Sequence, residues 1–186
     1  MSRVRVFLAY SLDGFIAGPN DDLSWLPGAS DPTASEPHGA TAVTYEQFIG
    51  EVGALLMGRR TYDVVTGFEG PWPYGELPVL VASHRPLGQP PAKTVERAEG
   101  EIEELIARAR ALANPGDVYL DGGFLVRKAL DAGLVDELIL TQVPVVLGAG
   151  QALFAGVTQR HHFELQGCHR YGEQMVQLIL HPKKPT

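Results

Sequence analysis

The chain has 186 residues, of which 45% are hydrophobic and 20% charged, and a formal net charge of -7. That size and balance suit one soluble globular domain with a substantial core, and the acidity argues against nucleic acid or an anionic membrane as the main partner, because both attract basic faces. The lone cysteine, Cys168, excludes an internal disulfide and a Cys-based zinc cluster, and with no signal-like or 18-residue apolar run the expectation is a cytoplasmic protein.

Val4 to Tyr10 is short, apolar and edged by turn residues, as a buried strand is. Asp13-Gly14 marks a turn between residues 11 and 18. Residues 19–43 form the longest irregular stretch, rich in Pro, Asp, Ser, Ala and Gly, with Trp25 and Leu26 as its large apolar anchor; such length suits a functional lid. Thr44 and Gln47 have capping-box spacing, and Tyr45, Phe48, Ile49 and Val52 follow on one helical face. Residues 54–57 read as a strand, 61–65 as the start of a helix, and 78–82 as another buried strand. Residues 101–113 form an amphipathic helix with Ile102, Leu105, Ile106, Ala109 and Leu112 on its stripe, ended by Asn114-Pro115-Gly116. A strand at 118–120, a Gly122-Gly123 turn and a helix at 124–132 ended by Gly133 come next, then a strand at 136–143. Residues 163–169 and 174–181 make a terminal pair joined by Arg170-Tyr171-Gly172-Glu173. The alternation predicts an α/β fold: a mainly parallel sheet covered on both faces, with a C-terminal antiparallel hairpin, in a single domain over residues 1–186.

Two strand exits stand out. LLMGRRTYDVV leaves a strand at Gly58 and places Arg59, Arg60 and Thr61 at the mouth of a helix; YLDGGFLVRKAL runs strand, Gly122-Gly123, helix. In open α/β sheets ligands bind beyond the carboxyl ends of the strands, and a helix N-terminus offers free N–H groups to an anion. Neither stretch is a P-loop or G-x-G-x-x-G, and a glycine after a strand also serves plain turn chemistry. Two such turns in one small sheet, one flanked by cations, fit a dinucleotide or another phosphorylated ligand.

Beyond these turns, the chain resembles the dihydrofolate reductase superfamily, and most closely the reductase domain of bacterial riboflavin biosynthesis enzymes. The resemblance runs in order through AYSLDGFIAGPNDDLSWL, LLMGRRTYD, VLVASHRPL, DVYLDGGFLVRKALDAGLVDELILTQVPVVLGAG and the final hairpin. It implies the three-layer dihydrofolate-reductase-like fold, NADPH bound across the strand ends, and hydride transfer to a small heterocyclic or ribosylated pyrimidine or pteridine. It places Ala9 and Ile16 beside the nicotinamide; Gly58, Arg59, Arg60 and Thr61 at a phosphate; Ser83, His84 and Arg85 near the adenosine ribose and its phosphate; and Gly122, Gly123, Phe124 and Leu125 around the pyrophosphate. The loop from Asp13 to Trp25 corresponds to the mobile loop that closes over the nicotinamide. Asp13 and Asp121 are the candidate catalytic carboxylates, Asp121 standing where riboflavin-type reductases often carry an acid. Trp25, Tyr45, Phe48, Ile49 and Thr141 fall at the substrate side. The resemblance allows a homodimer, and no deaminase domain is expected before the first strand.

Each assignment has a plainer counterpart. Asp13 also suits a turn, Trp25 a hydrophobic plug, and Ser83 to Arg85 a polar strand exit; Tyr45, Phe48 and Ile49 suit the core. Folate-reducing relatives carry a carboxylate on the helix equivalent to 44–52, whereas the matching position here falls near Ala42, with Glu46 the nearest acid. Arg127 and Arg160 are the candidates for a substrate phosphate. His161, His162 and His169 lack metal-ligand spacing, so no metal is expected, and Lys183 and Lys184 suit a solvated tail. A nucleotide-binding module without catalysis is the alternative function.

Overall fold

Apolar runs alternating with helical stripes build a three-layer α/β structure, described in a computed structural model for residues 2–27 and 42–183. The strands are β1 (Val4–Ser11), β2 (Phe15–Ala17), β3 (Val52–Gly58), β4 (Val79–Ala82), β5 (Val95–Ala98), β6 (Asp117–Asp121), β7 (Glu137–Val143), β8 (Gln151–Ala152), β9 (Phe163–Tyr171) and β10 (Met175–Pro182). The helices are α1 (Tyr45–Gly50), α2 (Arg59–Thr66), α3 (Ile102–Ala113) and α4 (Gly123–Asp131). The main sheet has eight strands in the order β5-β4-β3-β6-β1-β7-β10-β9, and β2 pairs with β8 in a small second sheet. β1 and β3 to β7 run parallel, while β10 lies antiparallel to both β7 and β9.

Burial on both faces explains the near-continuous apolar strands. On one face Val6, Leu56, Leu120 and Leu138 meet Ile106 and Ala109 of α3 and Val126 and Leu130 of α4. On the other, Leu55, Met57, Val81 and Tyr119 meet Phe48 of α1 and Tyr62 of α2. Each fully buried Leu, Ile or Met side chain contributes roughly 1.5–3 kcal/mol. The period of two along β6 therefore sends Leu120 toward α3 and α4, and Tyr119 and Asp121 toward α1 and α2.

The amino ends of the strands carry charge instead. Arg5 is 4% exposed. Its Nε donates to Glu137 at 2.5 Å, its Nη1 to Glu51 and, at 3.4 Å, to Asp117, and its guanidinium lies 5.0 Å from the Phe48 ring centre. Arg3 also grips Asp117, at 2.7 Å. Every buried charge there has a partner, as burial demands.

Sequence pattern and structure differ in instructive places. The capping box at Thr44 is formed, but α1 ends at Gly50 and Val52 opens β3 rather than extending the helical face. α2 begins two residues earlier than expected, so Arg59 and Arg60 are its first residues. Leu112 is exposed; the buried row of α3 continues instead from Ala109 to Ala113, four residues on. β2, β5 and β8 are too short or too polar to show a period, and β5 (VERA) exposes both of its charges, Glu96 and Arg97. Of the expected lid at 19–43, residues 28–41 lie outside the described residues, as does Lys184.

Candidate functional site

A cavity of about 920 Å³ opens along the carboxyl ends of β1, β3, β4, β5 and β6. Its size is that of a pocket for a large ligand.

Two glycine-turned helices form its middle. Gly58 caps α2 in an extended conformation, and no acid occupies the first turn. Arg59 and Arg60 stand there instead, adding positive charge to the positive end of a helix, an arrangement that an anion would relieve. Opposite, Gly122 has φ +99, a conformation that disfavours any side chain. A Cβ on Gly122 would come within 2.5 Å of Thr61 Oγ1, and one on Gly123 within 2.9 Å of Ile16 Cδ1 and 3.0 Å of Arg127 Nη1. The missing side chains therefore keep open the space between α2, α4 and β2. That space fits a phosphate-bearing coenzyme: it is backbone-lined, flanked by Arg59, Arg60, Arg127 and Lys128, and faces two helix N-termini.

The cations are held in place. Arg59 Nε donates to Asp63 at 2.7 Å and its Nη1 to the Pro86 carbonyl at 2.8 Å, which ties α2 to the exit of β4. Arg60 Nε donates to Asp21 at 2.6 Å, and its Nη1 reaches the Gln151 amide oxygen at 3.0 Å when that amide is turned to receive it. Arg127 Nη1 donates to the carbonyls of Ala152 and Leu153 at 2.9 and 3.1 Å. At the β4 exit, Ser83 and His84 line the cavity, and Ser83 Oγ closes a turn with the backbone of Arg85.

The same cavity also holds a cluster of phenols around one carboxyl. Phe7, Tyr74, Tyr119 and Asp121 line it. Burial raises the Asp121 carboxyl to about 6, despite opposing hydrogen bonds from the Gly122 N–H and the Tyr119 hydroxyl. The same burial raises Tyr74 and Tyr119, and Tyr45 to about 12, with Asp121 adding repulsion in each case. The Tyr119 hydroxyl donates to the Phe7 carbonyl at 3.0 Å.

Ala9, Ile16, Gly58, Arg59, Arg60, Thr61, Ser83, His84, Asp121 and Gly122 to Leu125 thus all meet in the cavity. Asp13, Trp25, Tyr45, Phe48, Ile49, Arg85 and Thr141 do not line it. Asp13 accepts from Ser11 Oγ at 2.6 Å, from the Leu147 N–H at 3.1 Å and from the Gly148 N–H at 2.7 Å. These bonds, Ser11 foremost, hold its carboxyl near 2 and fasten the β1–β2 loop to the β7–β8 loop. Trp25 packs with Ala9, Val143, Tyr171 and Met175, its indole N–H donating to the Asp22 carbonyl at 3.1 Å. Phe48 is fully buried, 4.9 Å from both the Phe7 and Tyr119 rings, and Tyr45 stands edge-on to Phe7 at 5.8 Å. Ile49 packs beside them, and Thr141 pairs with Ala9 one strand away, its buried hydroxyl without a hydrogen-bond partner. Arg160 is exposed between β8 and β9, away from the cavity.

Sequence reasoning missed Phe7, Tyr74, Tyr119, Asp21, Gln151 and the β5 exit at Gly100. Tyr119 was within reach, since it lies two residues before Asp121 on the same strand face. Tyr74, in a Pro- and Gly-rich loop, carries no periodic signal.

The fold and much of the length are shared with known proteins. Two Bacillus subtilis (strain 168) proteins, the uncharacterized YyaP and YwjB, are each 29% identical, over 96% and 95% of this chain and 94% and 95% of theirs. The crystal structure of a putative riboflavin biosynthesis protein from Shewanella sp. PV-4 superposes with a TM-score of 0.81 at 30% identity, over 98% of this chain and 99% of that one. A deaminase/5-amino-6-(5-phosphoribosylamino)uracil reductase from Thermotoga maritima shares the fold, with a TM-score of 0.66 at 16% identity; 98% of this chain covers 57% of that larger protein. The profile of the RibD C-terminal domain matches residues 2–177, and the chain belongs to the RibD C-terminal domain family, within the dihydrofolate-reductase-like fold.

Proposed function

We propose that the chain is an NADPH-dependent reductase of a small heterocyclic or ribosylated pyrimidine or pteridine. The observation that carries this reading is one cavity whose lining joins two chemistries: a cationic, backbone-lined turn between Gly58 and Gly123, and phenols around a protonatable Asp121. Relatives that pair a reductase with a deaminase act on an aminated pyrimidine by name, which agrees with that combination.

Bound NADPH would supply the hydride. The chain's part is to position and to dry the reacting ends. The α2 and α4 N-termini, with Arg59, Arg60 and Thr61, would hold the phosphates. Ala9 and Ile16 would form the wall against the nicotinamide ring. Asp121 would bond an N–H of the substrate as a carboxylate or hold a proton for it at Oδ, since its titration near 6 makes both forms available near neutral pH. Asp13, gripped by backbone N–H groups, would position the β1–β2 loop rather than meet the substrate.

The test has two steps. Fluorescence titration measures NADPH binding, and absorbance then follows NADPH oxidation across dihydrofolate, dihydrobiopterin and ribosylaminopyrimidines. Tight binding with turnover of one class is expected. Absence of NADPH binding would refute the coenzyme reading, and binding without any turnover would favour the nucleotide-binding module.

A further inference from the structure

We infer that Tyr74 binds the substrate directly: its hydroxyl donates to a ring carbonyl while Asp121 accepts from the adjacent ring N–H, so that the two side chains together read a lactam edge. The inference rests on the proposed reductase function and adds to it a residue and the substrate feature that residue recognises.

Three phenols gather near Asp121, and they are not equivalent. Tyr119 precedes Asp121 by two residues on β6, and its hydroxyl is engaged by the Phe7 carbonyl, 3.0 Å away. Tyr45 stands edge-on to Phe7 and does not line the cavity. Tyr74 lines the cavity although the residue is only 8% exposed. Among the described residues its hydroxyl has no hydrogen-bond partner, and it is not one of the sealed unpartnered atoms, which belong to Trp72, Thr94 and Thr141. A buried residue whose hydroxyl is neither bonded nor sealed offers that group to the cavity it lines, and such a group calls for a partner.

The ring that carries it is fixed. Trp72 meets it edge-on at 5.1 Å, and the Leu77 N–H donates to the Tyr74 carbonyl at 3.0 Å, which closes the turn before β4. Tyr74 belongs to the core cluster of Met57 and Tyr62, and Met57 is the β3 partner of Asp121. The cluster that holds the phenol thus borders the carboxyl, and the charge of Asp121 reaches it.

The two groups are complementary. Burial first, and then Asp121, raise the Tyr74 phenol far above its ordinary range, so it keeps its proton and stays a donor. Asp121, as a carboxylate, only accepts. A ring with C=O beside N–H satisfies both at once. Methylation of that nitrogen removes the donor that Asp121 needs and places a methyl group against a buried carboxylate.

The experiment uses the protein saturated with NADP+, so that no turnover occurs, at pH 8, where Asp121, titrating near 6, is ionised. Parent and Tyr74→Phe are titrated by NMR with 6-aminouracil and with 6-amino-1,3-dimethyluracil. The phenylalanine keeps the ring against Trp72, and circular dichroism checks the fold. The parent should prefer 6-aminouracil, and Tyr74→Phe should weaken that probe by about tenfold, the factor for one hydrogen bond lost to a carbonyl left unpartnered. The dimethyl probe, which cannot present the edge, should lose nothing further in the variant, whereas a purely structural role for Tyr74 would weaken both probes alike. Equal affinity of 6-aminouracil for the two proteins, equal losses for both probes, or a parent that does not prefer 6-aminouracil would overturn the inference. NADP+ affinity should be the same in both proteins; a loss in Tyr74→Phe would put the phenol at the coenzyme and overturn it too. Failure of NADP+ to bind the parent counts against the coenzyme reading alone, and the same titrations without it then decide the role of Tyr74.

Discussion

Replacing Gly122 with alanine probes how the turn between β6 and α4 is built. Gly122 sits at φ +99, ψ 127, where an L-residue is strained by about 1–3 kcal/mol. The new Cβ would also stand 2.5 Å from Thr61 Oγ1, a flexible atom that has to turn aside. Driving that hydroxyl off its rotamer costs a further ~0.5–1.5 kcal/mol. The sum is roughly 1.5–4.5 kcal/mol, which lowers the melting temperature of a domain this size by about 3–18 °C. The two parts separate in a double-mutant cycle. In a Thr61→Ala background the nearest remaining Thr61 atom, Cβ, lies 3.7 Å away, an ordinary contact, so only the backbone strain survives. Gly122→Ala should therefore cost ~0.5–1.5 kcal/mol less in Thr61→Ala than in the parent chain. Urea denaturation followed by circular dichroism gives all four stabilities. Equal costs in both backgrounds would show that the turn and the α2 N-terminus do not touch as described.

Three further outcomes follow from the site. Asp121→Asn tests the raised carboxyl: the group holds its proton longer in the fold, so the stability it contributes is complete below about pH 3.8 and is lost as pH rises through about 6. The asparagine variant should match the parent at pH 4 and exceed it by up to about 3 kcal/mol at pH 8 in urea melts; a gap independent of pH refutes the shift. Arg59→Ala should weaken NADPH by about tenfold or more and barely affect NADH, while Arg60→Ala weakens both, if Arg59 meets the phosphate that distinguishes the coenzymes; fluorescence titrations decide, and equal losses in Arg59→Ala put it at the wrong phosphate. Gly123→Val should fold, because the atoms it meets are the flexible ends of Ile16 and Arg127, yet bind NADPH at least about tenfold more weakly; unchanged affinity would make the turn merely structural.

How far the sequence speaks depends on the kind of signal. Parallel strands buried on both faces write themselves as apolar runs, so β1, β3, β4, β6 and β7 were readable to within two residues at either end. The two glycine exits were readable for the same reason, since a strand that stops at Gly58 or Gly122 has to turn there. The phenolic pocket was not. It gathers Phe7, Tyr74 and Tyr119 from three distant stretches, and no local period links them. Asp13 shows the opposite failure: a carboxylate in a ligand-side loop looks functional in sequence, while its oxygens are occupied by Ser11 and by N–H groups some 134 residues away. Only tertiary distance distinguishes the two.

The position of β1 in the sheet has a consequence for biosynthesis. Its neighbours are β6 and β7, so Val4 waits for Val118 and Arg5 for Glu137. At the usual pace of translation, roughly 5–20 residues per second, the strand is made roughly 6–25 s before either partner. Through that interval an apolar, β-prone segment has two open edges, the condition under which strands pair with the wrong chain. Arg3 and Arg5 lie at and within this segment, where charge guards a nascent strand from aggregation. The same Arg5 guanidinium, enclosed in the fold by Glu137, Glu51 and Asp117, is the tie that closes the amino end of the sheet once those partners have been made.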